Sequence, residues 1–371
     1  MKIKKLLLSF LFVTSLLLLA ACGSKTEYYF AQATPNQNSE WVSYVIVEKQ
    51  GNKITDVKWN AYHIAGDLAG WNYLSKQNYN GKDKYTQSKE GIYMMTSDET
   101  TGKKLKWHEQ ADLLSKKLIE TQDYNDRKPV PAGASISSDD FYVLVEKALS
   151  SPAVQKGSYV DGFHYISLKD TASDRTVTSY WDPIENKVLS DTFKAYKFGS
   201  FVVVNGTIVL AYYNEAYTGY LVDFDADGKA INHVYQEDGK EVKKAIAKVE
   251  VSETVTTTTK EIGRETIIDP ETNKKTVIVT TETTTETNEV KSILKSKKLT
   301  KNQLGLSYLM KKPNGPATYE FFEAAKFAGD YLIENQNLDV AFNTSGKTDA
   351  IAGVTITAKD FQTIALKIPK K

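Results

Sequence analysis

Near the C-terminus the chain reads Thr348-Asp349-Ala350-Ile351-Ala352-Gly353-Val354-Thr355-Ile356-Thr357-Ala358-Lys359-Asp360-Phe361. Thr357 followed three residues later by Asp360 has the spacing of a capping box, and Phe361, Ile364, Ala365 and Ile368 then supply one apolar helical face. Thr355 therefore falls two residues ahead of an expected helix N-cap. Unpaired backbone N–H groups and the positive end of the helix dipole favour a phosphate there. Gly353 removes a side chain beside that hydroxyl, so a bulky group could approach the backbone. Thr355 is a candidate to carry a phosphoester, with Asp349 as a nearby acid.

A second segment has the same shape. AGASISSDDF at residues 132 to 141 and AGVTITAKDF at 352 to 361 share five of ten residues, and LIETQ at 118 to 122 matches LIENQ at 332 to 336. Gly133 and Ser135 stand where Gly353 and Thr355 do, but Pro129 replaces Asp349. Ahead of each turn lies a helix that begins with an aromatic and an acid, Trp107 and Glu109 in one copy, Phe321 and Glu323 in the other. A flat aromatic at that place could stack on a planar ring. Further back, YVIVEKQGNKITDVKWN from Tyr44 pairs with YLVDFDADGKAINHVYQ from Tyr220, each with the turn residues of a strand pair. The expected fold class is α+β: two related domains, each a small antiparallel sheet with helices, over residues 40–155 and 156–371. The second carries an insertion from about 246 to 292, in which 14 of the 40 residues 251 to 290 are threonine. Its β-formers flank an Asp269-Pro270-Glu271-Thr272-Asn273 turn, which suggests a solvent-exposed two-stranded ribbon.

The N-terminus carries MKIKK, an apolar run and then Ala21-Cys22-Gly23, the layout of a signal peptide over residues 1–21. LLAAC resembles a bacterial lipobox, which implies cleavage before Cys22 and a lipid on its sulfur, with 22–40 as a tether. The mature chain is then anchored to the bilayer on the extracellular face of a cell membrane without spanning it. Cys22 is the one cysteine among 371 residues, so intramolecular disulfides and Cys-rich metal sites are excluded. A formal charge of +1 gives no footprint for nucleic acid. His63, His108, His164 and His233 show no metal-ligand spacing, and Asp223-x-Asp225-x-Asp227-Gly228 lacks the glutamate that would complete a calcium loop. No P-loop, GxSxG elbow or GxGxxG is present.

DAIAGVTIT resembles the flavinylation motif of the FMN-binding domain family, and Trp107-His108-Glu109-Gln110-Ala111 resembles the two-domain members found as lipoproteins in Gram-positive bacteria. The resemblance covers most of 40–150 and, more weakly, 216–371. It implies covalent FMN, transferred from FAD to Thr355 by an FAD:protein FMN transferase, with a second FMN possible on Ser135. The site residues it implies are Thr355, Asp349, Gly353, Ser135, Gly133, Trp107 and Glu109. It further implies an electron carrier rather than a turnover enzyme, fed by a membrane quinol or dehydrogenase and discharging to extracellular acceptors such as free flavin or iron(III). The alternative is an unmodified cell-surface interaction lipoprotein whose ribbon contacts a partner.

Overall fold

The computed structural model describes residues 25–35, 40–72, 74–95, 105–125, 136–293 and 297–371. Cys22, Gly133 and Ser135 lie outside the described residues. The fold is mixed α+β, and its sheets are almost wholly antiparallel.

Strands β1 (Thr26–Gln32), β2 (Trp41–Gln50) and β3 (Lys53–His63) form a three-stranded meander. A small pair, β4 (Trp71–Asn72) and β5 (Gln77–Asn78), follows. Helices α1 (Lys84–Lys89), α2 (Trp107–Thr121) and α3 (Ser138–Leu149) complete this half. In β2 the residues alternate: Val45 and Val47 join Trp59, Leu114, Leu118 and Phe141 under the helices, while Val42 and Tyr44 face the other way.

The second half repeats this plan. Here β6 (Gly162–Ser167), β11 (Lys197–Val204) and β12 (Thr207–Tyr220) form the meander. Phe201 and Val203 point toward α5 (Phe321–Asn335) and α6 (Ala358–Ala365), whereas Val202 and Val204 pack against Val42, Tyr44 and Tyr62 of the first sheet. The result is helices, sheet, sheet, helices, with two helix-covered cores and a third apolar seam between the sheets.

Hydrogen bonds show the repeat more clearly than sequence does. Gln122, left-handed at the end of α2, bridges both Ile54 N and Ile54 O, and Gln336 at the end of α5 does the same to Ile208. Asn60 Oδ1 accepts from Ala61 N and Tyr85 N; Asn214 Oδ1 accepts from Glu215 N and Asn302 N. Trp59 packs on Trp107 and Phe141, as Tyr213 packs on Phe321 and Phe361. The counterpart of 44–60 is thus 198–214, not the segment from Tyr220. Tyr220 ends β12, and the residues after it serve a separate small sheet.

That sheet contains β13 (Asn232–Glu237), β14 (Lys240–Ile246), β8 (Tyr180–Asp182) and β9 (Lys187–Val188), with β7 (Ser173–Val177) and β10 (Asp191–Ala195) paired beside it. Asp225 Oδ1 accepts from Asp227 N and Lys229 N, and Asp223 pairs with Lys248, so the acidic run is a hairpin turn. The Thr-rich insertion is a ribbon, β15 (Glu250–Ile268) with β16 (Lys275–Ser292), exposed along almost its whole length. Strand β17 (Lys297–Thr300) and α4 (Lys301–Leu304) return the chain to the second half.

Two expectations change. The stretch 22–40 is not a free tether, because Thr26 through Gln32 already pairs with β2. Neither Thr357 nor Ser137 forms a side-chain cap. Their ψ angles of 81° and 96° differ from those of Asp83 and Thr300, at 160° and 156°, whose side chains do accept the first-turn N–H. Among the described residues no helix is long and apolar enough to cross a membrane.

Candidate functional site

The turn before α6 presents Thr355 by alternation. Ile351, Val354 and Ile356 are buried in the second core, and Thr355 between them is exposed, as are Asp349 and Ala352. The loop leading in is internally braced: Asn343 Oδ1 accepts from Ser345 N and Lys347 N, Gly346 O accepts from Lys359 N, and the buried Thr348 accepts from Ala350 N. Asp360 pairs with Lys197 at 3.0 Å, which pins the start of the helix.

Gly353 has φ +80°, and a Cβ there would stand 2.5 Å from the Phe327 ring. Glycine is thus demanded by the fold itself, through backbone conformation and the close ring. Phe327 is half-buried and meets Tyr319 edge-on at 5.1 Å. This aromatic pair beside the Thr355 turn was not singled out in the sequence, because a lone Phe on a helix looks like core. Lys359, exposed in the first turn of α6, adds a cation at the start of that helix, its own N–H taken by Gly346 O.

The other candidates have structural work. Trp107 is only 4% exposed, its ring packed on Trp59 and faced by Lys84, which leaves no open face for a planar ligand. Glu109 accepts from Lys106 N at 2.6 Å and Glu323 from Glu320 N at 2.8 Å, so the retained acids tie off helix starts. His108 bonds to Ser88. Two surface cavities of about 540 and 300 Å³ lie around Pro313 and Asn314, and neither is lined by Thr355 or Asp349.

Each half also buries a lysine one residue after a helix N-cap. Lys301 lies over Tyr308 and Phe321 and pairs with Glu215 at 2.5 Å. Burial pulls its ammonium down, but Glu215 more than offsets that and holds it above the usual lysine value. Lys84 lies over Tyr93, Trp107 and Trp41 at 4.5, 5.0 and 5.4 Å. Ala61 occupies the position of Glu215, and burial pulls Lys84 down to about 8. Between about 8 and the ordinary lysine value, the folded chain has released a proton that the unfolded chain still holds, so this group makes stability rise with pH. Lys84→Met is expected to raise Tm at pH 7 by a few degrees, on the order of 1 kcal/mol, with the gain vanishing by pH 10. Thermal scans at the two pH values check this; an equal gain at both would show that the charge is not the cause.

No family model and no curated protein matches the chain. The solution NMR structure of a protein from Clostridium thermocellum is 33% identical over a match covering 34% of this chain and 90% of that chain, with a TM-score of 0.22.

Proposed function

We propose that the protein is a lipid-anchored extracellular flavoprotein built from two FMN-binding-type domains, an electron carrier with FMN held covalently through Thr355. The observation that carries this reading is the exposed Thr355 hydroxyl, set between two buried residues at the start of a helix that no side chain caps. The residues present fit a phosphoester: Thr355 would supply the oxygen, and the exposed Lys359 in the first turn of α6 would supply a nearby cation. Asp349, exposed and without a side-chain partner among the described residues, is available to an FAD:protein FMN transferase. Phe327 and Tyr319 offer aromatic surface beside the turn. When bound, FMN supplies the redox chemistry, and the fold supplies attachment and an exposed position from which a partner can be reached. A quinol or dehydrogenase at the membrane is the proposed donor, and free flavin or iron(III) the proposed acceptor.

A second reading, an unmodified interaction lipoprotein, draws on the ribbon. Its outer third exposes Ile262, Ile267, Ile268, Val277, Ile278 and Val279. Intact-mass spectrometry of protein from its native host, with peptide mapping, separates the two. The mass of one FMN less water on the Thr355 peptide supports the carrier, and a further addition on the Ser135 peptide makes it a two-flavin protein. An unmodified Thr355 peptide favours the interaction protein.

A further inference from the structure

The first strand begins four residues after Cys22. Thr26 is paired with Gln50 at the closed end of the β2–β3 hairpin, and four residues of chain span at most about 13–14 Å. Whatever surface surrounds Thr26 must therefore lie against the membrane if Cys22 carries lipid. That surface is continuous across both halves. Val154 N donates to Tyr28 O, Asn205 Nδ2 donates to Val154 O, Gly157 N donates to Asn205 O, and Lys371 N donates to Ser158 O. The two hairpin turns, the start of β1 and the last residues thus share one end of the molecule.

This end carries Lys25, Lys49, Lys53, Lys156, Lys370 and Lys371, all but the half-buried Lys49 exposed. On these strands and turns Glu27 accepts from Tyr29, Glu48 from Thr55, and Asp161 from Gly206 N while pairing with Lys371, whereas the exposed Glu120, Asp123, Glu334 and Asp339 stand at the helix ends that Gln122 and Gln336 tie to Ile54 and Ile208. We propose that this lysine-rich end is a docking face for an anionic phospholipid bilayer, one that fixes the orientation of the protein as well as its location. It rests on the reading that Cys22 is lipidated. Basic side chains held within a Debye length of an anionic surface, about 8–10 Å, are attracted to it, and a tether of at most about 13–14 Å lets them reach that distance. The same placement sets what points outward. Strand β12 runs from Thr207 at this end to Tyr220, about 43 Å away at roughly 3.3 Å per residue. Beyond Tyr220 stand the small sheet and the ribbon, so the bilayer contact directs both outward.

The test uses the lipidated mature protein in vesicles of phosphatidylglycerol or of phosphatidylcholine, with lysine acetylation rates read by mass spectrometry. Lys53, Lys156 and Lys370 are expected to react at least fivefold more slowly on phosphatidylglycerol, with Lys260 of the ribbon unchanged and the protection lost in 0.5 M salt. The triple variant Lys53→Glu, Lys156→Glu, Lys370→Glu is expected to lose protection at Lys25 and Lys49 as well. Equal rates on the two lipids overturn the docking face. The same spectra report the lipid on Cys22. A chain without lipid that still co-sediments with phosphatidylglycerol keeps the face and removes the anchor; one that does not bind removes both. Stronger protection by a soluble glycerol-phosphate polymer than by vesicles overturns the bilayer as the partner.

Discussion

Thr355→Ala is expected to yield a folded protein with no covalent flavin on its C-terminal peptide, while Thr355→Ser retains it. The side chain is exposed and makes no bond that anchors the fold, so the change in stability should stay within about 0.5 kcal/mol. Loss of the flavin mass with an unchanged Tm therefore isolates the hydroxyl. Gly353→Ala could not do so. A Cβ there meets Phe327 and forces a residue with φ +80°, so attachment and folding would fail together. Asp349 is the better companion, being exposed and without a side-chain bond among the described residues; Asp349→Asn should lower modification in the host while leaving the unfolding curve in place. A protein that kept full flavin mass on the Thr355→Ala peptide would remove this residue from the assignment.

The α+β class, the Thr-rich ribbon and the helices beginning at Ser138 and Ala358 were legible in the sequence, because each rests on a local pattern: threonine density about a turn signal, or a ten-residue self-match. Longer-range features were read less well. The repeat was traced from Tyr44 to Tyr220 by similarity of letters, yet the strand equivalent to 44–60 is 198–214. What the halves share is not residue identity but the bonds made by Asn60 and Asn214, and by Gln122 and Gln336, to partners between 25 and 128 residues away. The expected capping boxes failed because spacing says nothing of ψ, and Thr357 and Ser137 hold their side chains out of reach of the helix N–H groups. The stacking role expected of Trp107 fails because Trp59 and Lys84 converge on its ring, which nothing local announces. For the same reason Phe327 and Tyr319 went unremarked.

The halves are held together by polar bonds as well as by the apolar seam, and Asp67 is the centre of them. It sits just beyond β3, where its Oδ1 accepts from Tyr165 at 2.7 Å and Tyr196 at 2.6 Å, and its Oδ2 from Lys169 at 2.8 Å, all three on the second half. The preceding Gly66 has φ +55°, and a Cβ there would lie 2.6 Å from Tyr165. Burial alone would raise the Asp67 carboxyl, but the bonds from Lys169, Tyr196 and Tyr165 outweigh it and hold the group below its ordinary value. A depressed folded value means that its contribution is complete above the unfolded value of about 3.9 and disappears as pH falls through the folded one. Asp67→Ala strands two buried tyrosine hydroxyls and is expected to cost about 3 kcal/mol at pH 7. The gap between variant and parent should narrow as the pH falls through the folded value of Asp67. Urea unfolding followed by tryptophan fluorescence checks this, since four of the five tryptophans lie in the first half. A lower midpoint with an unchanged slope means that the seam of Val42, Tyr44, Val202 and Leu210 still couples the halves, whereas a shallower slope means that the first half has begun to unfold alone. An unchanged midpoint would show that Asp67 contributes nothing to holding the halves together.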